Sequence, residues 1–235
     1  MSDDKKPVVN IPEVELPIKP LIKEEILEDI ERRLGVIQSD FKDGLHLVAR
    51  HPKSVTFFGS ARFDENNKYY QQAKDLAFKL AIESFSVVTG GGPGIMEGAN
   101  RGAYEAGGQS VGFSIELPHE QVTNPYVKDN VDFYYFFSRK VCLTFSAEAF
   151  VYFPGGFGTL DEFFEIITLI QTHKISPVPI ILIGLDYWQP LDNFIKEILE
   201  EKYKTIYQEN RKIYYITDNL DEAISLIKET PVRHF

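Results

Sequence analysis

From Ser54 onward, short apolar runs alternate with longer stretches in which apolar positions recur every three or four residues. The runs SVTFF (54–58), FSVVT (85–89), QSVGFSI (109–115), DFYYFF (132–137), EAFVYF (148–153), PVPIILI (177–183) and IYYIT (213–217) predict strands. The periodic stretches predict helices over Tyr69–Ser84, Ile95–Ala106, from Ser138, from Thr159 to Thr172, over Trp188–Glu200 and over Asn219–Glu229, with a polar loop from Leu117 to Val131. Strands alternating with helices imply an α/β fold: a Rossmann-like, doubly wound, mainly parallel sheet with helices on both faces. The nearly continuous apolar strands fit burial on both faces.

The chain ahead of this alternation reads differently. Residues 1–20 hold Pro7, Pro12, Pro17 and Pro20 among mixed charges and predict an extended arm. Over 21–50, Ile22, Ile26, Ile30, Leu34, Ile37, Phe41, Leu45 and Val48 form a helical stripe, with Gly35 and Gly44 expected to break it into pieces. Residues 51–235 form the expected Rossmann-like domain. An apolar stripe placed before that domain needs a cover, and a second subunit is a candidate.

Composition narrows the function. The formal charge of −10 disfavours nucleic-acid backbones and anionic membranes, so an anionic ligand needs a local device to hold it. The single cysteine, Cys142, excludes an intrachain disulfide, fits a reducing compartment such as the cytoplasm, and reads as inert core. The N-terminal sequence lacks the apolar region of a signal peptide, and no run reaches the ~18 apolar residues of a membrane span. The five histidines are scattered without metal-ligand spacing, so no metal is expected.

Three strand ends are unusual. FFGSAR (57–62), TGGGPGIMEGANRGAYEAGG (89–108) and PGGFGTLDE (154–162) each join a strand to a helix through small residues. Glycines admit a ligand close to the backbone, and a helix N-terminus offers unpaired N–H groups with positive dipole character. Gly59, Ser60, Gly91, Gly92, Gly155, Gly156, Phe157, Gly158, Thr159, Leu160 and Asp161 are therefore candidate substrate-binding positions around a phosphate. Neither the dinucleotide fingerprint nor a P-loop is present, so redox chemistry and ATP hydrolysis lose support, and no cofactor is expected. Ser138 reads as a helix N-cap, which puts Arg139 and Lys140 in a first turn where cations are disfavoured unless an anion is near. Glu162 has two readings: partner of Thr159 in a capping box, or a carboxylate beside the cradle that steadies a cationic, oxocarbenium-like ribose.

Together GGGPGIMEGANRGA, Arg139-Lys140 and PGGFGTLDE resemble the LONELY GUY (LOG) family, whose signature PGGxGTxxE is met by Pro154, Gly155, Gly156, Gly158, Thr159 and Glu162. The resemblance covers about residues 54–229. It implies hydrolysis of nucleoside 5′-monophosphates, AMP-like or cytokinin riboside monophosphates, to free base and ribose 5-phosphate. Arg139 and Glu162 match the family's catalytic pair, and Lys140 and the 155–161 turn match substrate-binding positions. The resemblance also implies a homodimer or higher homo-oligomer with sites near the subunit interface. Members have often been labelled lysine decarboxylases, but no site for a pyridoxal cofactor is apparent. Residues 1–50 extend beyond the compact plant-type members, and the loop 116–130, which bears on base specificity, differs from theirs; Glu120 and Gln121 are further candidates for ligand contact. The competing class is a non-catalytic nucleotide or molybdenum-cofactor carrier on the same fold.

Overall fold

The computed structural model describes residues 22–116 and 123–229. The 1–20 arm and the Glu120 and Gln121 candidates lie outside those residues. The chain divides into two compact units, residues 1–35 and 36–235.

Among the described residues of the second unit seven strands form one sheet: β1 (Ser54–Phe58), β2 (Ser86–Thr89), β3 (Ser110–Ile115), β4 (Asp129–Phe133), β5 (Ala149–Tyr152), β6 (Ile180–Ile183) and β7 (Tyr215–Thr217). Every pairing is parallel, in the order β4-β3-β2-β1-β5-β6-β7. The helices are α1 (Lys23–Arg50), α2 (Lys68–Ile82), α3 (Ile95–Glu105), α4 (Phe136–Ser146), α5 (Phe157–Gln171), α6 (Leu185–Phe194) and α7 (Leu220–Lys228). A π-helical segment, Ile195–Lys202, continues α6, and a 3₁₀ turn spans Gln208–Ile213.

The strand side chains divide by the two-residue period of a pleated strand. Ile180 and Leu182 of β6 enter one core with Leu47, Cys142, Phe163 and Trp188, from α1, α4, α5 and α6. Ile181 and Ile183 enter the other, with Leu76, Ala99 and Ala223 from α2, α3 and α7. Both faces of the sheet are covered, as the unbroken apolar strands predict. Cys142 is buried and its thiol is pushed up to about 12 by desolvation, so it stays a protonated, inert part of the core.

Several expectations need correction. β4 is DNVDF, not DFYYFF: its residues pair with Val111–Ile115, and the aromatic run begins α4 instead. As the edge strand, β4 is partly exposed and carries polar residues that hide it from an apolar-run reading. Helix α6 starts at Leu185, three residues before Trp188. Helix α1 runs through both Gly35 and Gly44. A Cβ at Gly44 would lie 2.6 Å from Cys142 Sγ and from Phe133 Cζ, so this glycine serves close packing rather than a break. Of the predicted stripe, Val48 is buried and Phe41 packs on the core, while Ile22, Ile26, Ile30, Leu34 and Leu45 are exposed.

The chain builds outward from β1 to β4 and then returns to β5 on the other side of β1. The loops leaving β1 and β5 therefore diverge, and the crevice between them at the carboxyl ends of the strands is the ligand position of open α/β sheets.

Candidate active site

A cavity of about 870 Å³ opens at that crevice. Its walls are Phe58–Phe63 after β1, Gly90 after β2, Met96 of α3, Phe136 and Arg139 of α4, Pro154–Glu162 after β5, and Tyr187 of α6.

The turn 153–156 is held by its neighbours. Phe153 N–H donates to Phe58 O at 2.8 Å, Ser60 N–H to Pro154 O at 3.0 Å, and Tyr187 O–H to Gly155 O at 2.7 Å. Ile95 N–H donates to Ser60 O at 3.0 Å, which ties the start of α3 to the same loop. Helix α5 then begins at Phe157 behind Gly156, with no side-chain cap. This corrects the capping-box reading: Thr159 is the third helical residue and Glu162 the sixth, so Glu162 is a turn too late to cap. The first-turn amides stay available to a ligand. Neither Gly156 nor Gly158 has a positive φ, and a Cβ on either would meet nothing within 4 Å. Protein packing does not demand glycine at these two positions; the bare backbone leaves room for a ligand instead.

Ser138 is not an N-cap. Helix α4 begins at Phe136, Ser138 is fully buried inside it, and Arg139 and Lys140 lie beyond its first three residues. Arg139 lines the cavity, and its Nε is buried with no hydrogen-bond partner. Burial pulls its guanidinium below the usual arginine range, and Glu162 pulls it back upward. Glu162 also lines the cavity. Desolvation raises its carboxyl to about 7, against the opposing pull of Lys140 and Arg139. Among the described residues neither Arg139 nor Glu162 has a side-chain ion pair or hydrogen bond. A desolvated guanidinium with an unbonded Nε and a desolvated carboxyl without a side-chain hydrogen bond are costly to the fold, and groups perturbed in this way cluster at functional sites.

The chain matches, over residues 96–227, the model of a family described as "Possible lysine decarboxylase". That match spans more than half of the chain.

It belongs to the LOG family.

A LOG protein of Rhodococcoides fascians, described as a cytokinin riboside 5′-monophosphate phosphoribohydrolase, is 29% identical over 185 residues, covering 75% of this chain and 90% of its own. An Arabidopsis thaliana protein of the same description is 26% identical over 187 residues, 78% of this chain and 81% of its own. Among solved structures, an X-ray structure of a structural-genomics target covers 75% of this chain and 99% of its own, at 28% identity and a TM-score of 0.57. The molybdenum cofactor carrier protein of Chlamydomonas reinhardtii superposes with a TM-score of 0.55 at 22% identity over 75% of this chain and 97% of its own; at that identity the likeness concerns the fold.

The LOG signature and the geometry meet in one place. Gly59, Ser60, Arg139, Gly155, Gly156, Phe157, Gly158, Thr159, Leu160, Asp161 and Glu162 all line the cavity. Gly91, Gly92 and Lys140 do not. Asn124 Nδ2 donates to the carbonyls of Gly91 and Gly92, both at 3.0 Å, fastening them to a buried polar network; Gly90 is the glycine of that turn on the wall. Lys140 reaches α5, where its Nζ lies 2.9 Å from Asp161 and 3.0 Å from Glu165. Sequence reasoning missed Arg62, Met96, Phe136 and Tyr187. Arg62 was legible as the end of FFGSAR; Tyr187 left no local signal, because it arrives from a distant helix.

Proposed function

We propose that this LOG protein hydrolyses the N-glycosidic bond of nucleoside 5′-monophosphates, AMP-like or cytokinin riboside monophosphates, releasing free base and ribose 5-phosphate. The observation that carries the reading is that Arg139 of α4, its buried Nε without a hydrogen-bond partner, and Glu162 of α5 line the same cavity as the uncapped N-terminus of α5. The descriptions of the curated relatives support it.

The 5′-phosphate docks on the amides at the start of α5 and the Thr159 hydroxyl, where the helix dipole and N–H groups favour an anion. Arg62, exposed on the cavity wall, adds a cation there. The bond from ribose C1′ to the base nitrogen breaks, with its electron pair leaving on the base. Water adds to C1′ and gives up a proton, and the leaving base nitrogen takes up one, so that the hydroxyl ends on ribose 5-phosphate and the hydrogen on the free base. The Glu162 carboxylate opposes the positive charge building on the ribose and orients or deprotonates the water. Arg139 orients Glu162 or the ribose, or draws electron density toward the leaving base. No step calls for a metal or redox cofactor. The exposed stripe at 22–34 accords with a homo-oligomer, and a lone buried thiol with a cytoplasmic setting. No helix among the described residues is long and apolar enough to cross a membrane.

The test is incubation of the purified protein with matched nucleotides and nucleosides, followed by chromatography of the products. Release of base from monophosphates at a kcat/KM at least about 100-fold above that for nucleosides is expected, since a phosphate cradle adds binding only when a phosphate is present. Tight nucleotide binding without turnover points to a carrier instead.

A further inference from the structure

We propose that Asp40 is a positioning residue for Arg139, acting through the N-terminus of α4. The inference rests on the reading of Arg139 as part of the active site.

Helix α4 has no cap from its own segment. Its cap comes from α1, 95 residues earlier in the chain. Tyr134 N–H donates to Asp40 Oδ1 at 3.2 Å, Tyr135 N–H to Oδ2 at 3.1 Å, and the Ser138 hydroxyl also donates to Oδ2. The same hydroxyl lies 2.9 Å from Tyr135 O. Asp40 is 6% exposed and Ser138 is fully buried. A buried carboxylate satisfied by three donors at the positive end of a helix is a strong, directional attachment.

Two further contacts brace the same corner. One turn along α1, Gly44 lets the helix close on Phe133 and Cys142. At its end Arg50 donates to both oxygens of Asp129 on β4, at 3.0 and 2.9 Å, and His51 Nε2 lies 3.0 Å from the same carboxylate. Residues 36–50 thus mount the β4–α4 corner. Asp40 alone of these grips the turn that sets the rotation of α4, and Arg139 directly follows the gripped Ser138. At its far end the Arg139 guanidinium has no protein hydrogen bond among the described residues to hold it. Its placement over Gly90 comes from the helix that carries it.

The experiment compares Asp40→Asn in the wild-type and Arg139→Ala backgrounds by two readouts: base-release kinetics and ¹³C NMR titration of the Glu162 carboxyl. Asparagine keeps the size but offers one acceptor oxygen in place of two. Asp40→Asn should lower kcat by about 10- to 100-fold with KM within about threefold, the scale of a displaced catalytic group. In the Arg139→Ala background it should change kcat by less than about twofold, because a residue acting only through Arg139 has nothing left to act on. Both Asp40→Asn and Arg139→Ala should raise the Glu162 titration midpoint, and the double variant should raise it no further than Arg139→Ala alone. A protein that is folded with an unchanged Glu162 midpoint, or losses that multiply in the double variant, would overturn the proposal. The titration needs no turnover, so absence of base release from every nucleotide would reject the proposed function and leave Asp40 to be decided by NMR. If Asp40→Asn does not fold, Ser138→Ala removes one donor only; it should shift Glu162 the same way by less, and no shift overturns the proposal.

Discussion

The guanidinium of Arg139 occupies the space that a side chain on Gly90 would need: a Cβ there would overlap Arg139 Nη2 and lie 2.9 Å from Met96 Sδ. Gly90→Ala should therefore push Arg139 off the cavity wall without touching the phosphate cradle. We expect base release to fall at least about 10-fold in kcat, in line with a misplaced catalytic group, while stability changes by less than about 1 kcal/mol, because the atoms met are the ends of flexible Arg139 and Met96 side chains at an open cavity. Steady-state kinetics and thermal melting of the same preparation check both.

Gly158→Ala separates binding from folding. Alanine suits a helix better than glycine by up to about 1 kcal/mol, and its Cβ would meet no protein atom within 4 Å. The variant should melt at or above the wild-type temperature yet show KM for the monophosphate raised about 10-fold or more, since on the proposed function the methyl enters the space that the phosphate would take. Unchanged KM would place the phosphate elsewhere.

Burial raises the Glu162 carboxyl to about 7. In the unfolded chain it returns to the ordinary range near 4.3, so the folded state binds the extra proton between the two values. The cost to stability is absent below the unfolded value, grows as pH rises and is complete above 7. Glu162→Gln should then be more stable than wild type at pH 8, by about 1–3 kcal/mol once solvent at the open cavity is allowed for, and equal to it near pH 4. Activity should behave oppositely: kcat/KM should rise through an apparent value near 7 as the carboxylate forms. Denaturant titrations and a pH–rate profile are the measurements.

Lys140 bridges Asp161 and Glu165 and also pulls the Glu162 carboxyl downward. Lys140→Met should move the acidic limb of the pH–rate profile to higher pH. KM for the monophosphate should change by less than about threefold, because the lysine does not line the cavity and pairs with α5 instead. A large rise in KM with an unmoved limb would make Lys140 a substrate ligand after all.

Much of this fold was legible in the sequence, for physical reasons that also explain the failures. Strands β1, β2, β5 and β6 are covered on both sides, so VTFF, SVVT, AFVY and IILI leave no ambiguity. Strand β4, at the sheet edge, needs apolar residues on neither side throughout, and the aromatic run after it drew the prediction three residues too far. Thr159 and Glu162 have the spacing of a capping box, yet the N-cap is Gly156, three residues earlier, because the glycine turn is held by Ser60 and Tyr187, which lie far away in sequence. The same limit hid Asp40: a carboxylate inside a charged helix gives no local sign that it caps another helix 95 residues on.

The proposed function puts Glu162 in the chemistry at a phosphate-anchored ribose. Its most direct test is adenine release from AMP by wild type and Glu162→Gln, at matched concentration and verified fold. We predict steady release of adenine and ribose 5-phosphate by the wild type and a loss of about 10²–10⁴-fold in the variant, the range for removal of a general base. A folded Glu162→Gln protein that frees adenine at the wild-type rate would rule out a role for this carboxyl in base release.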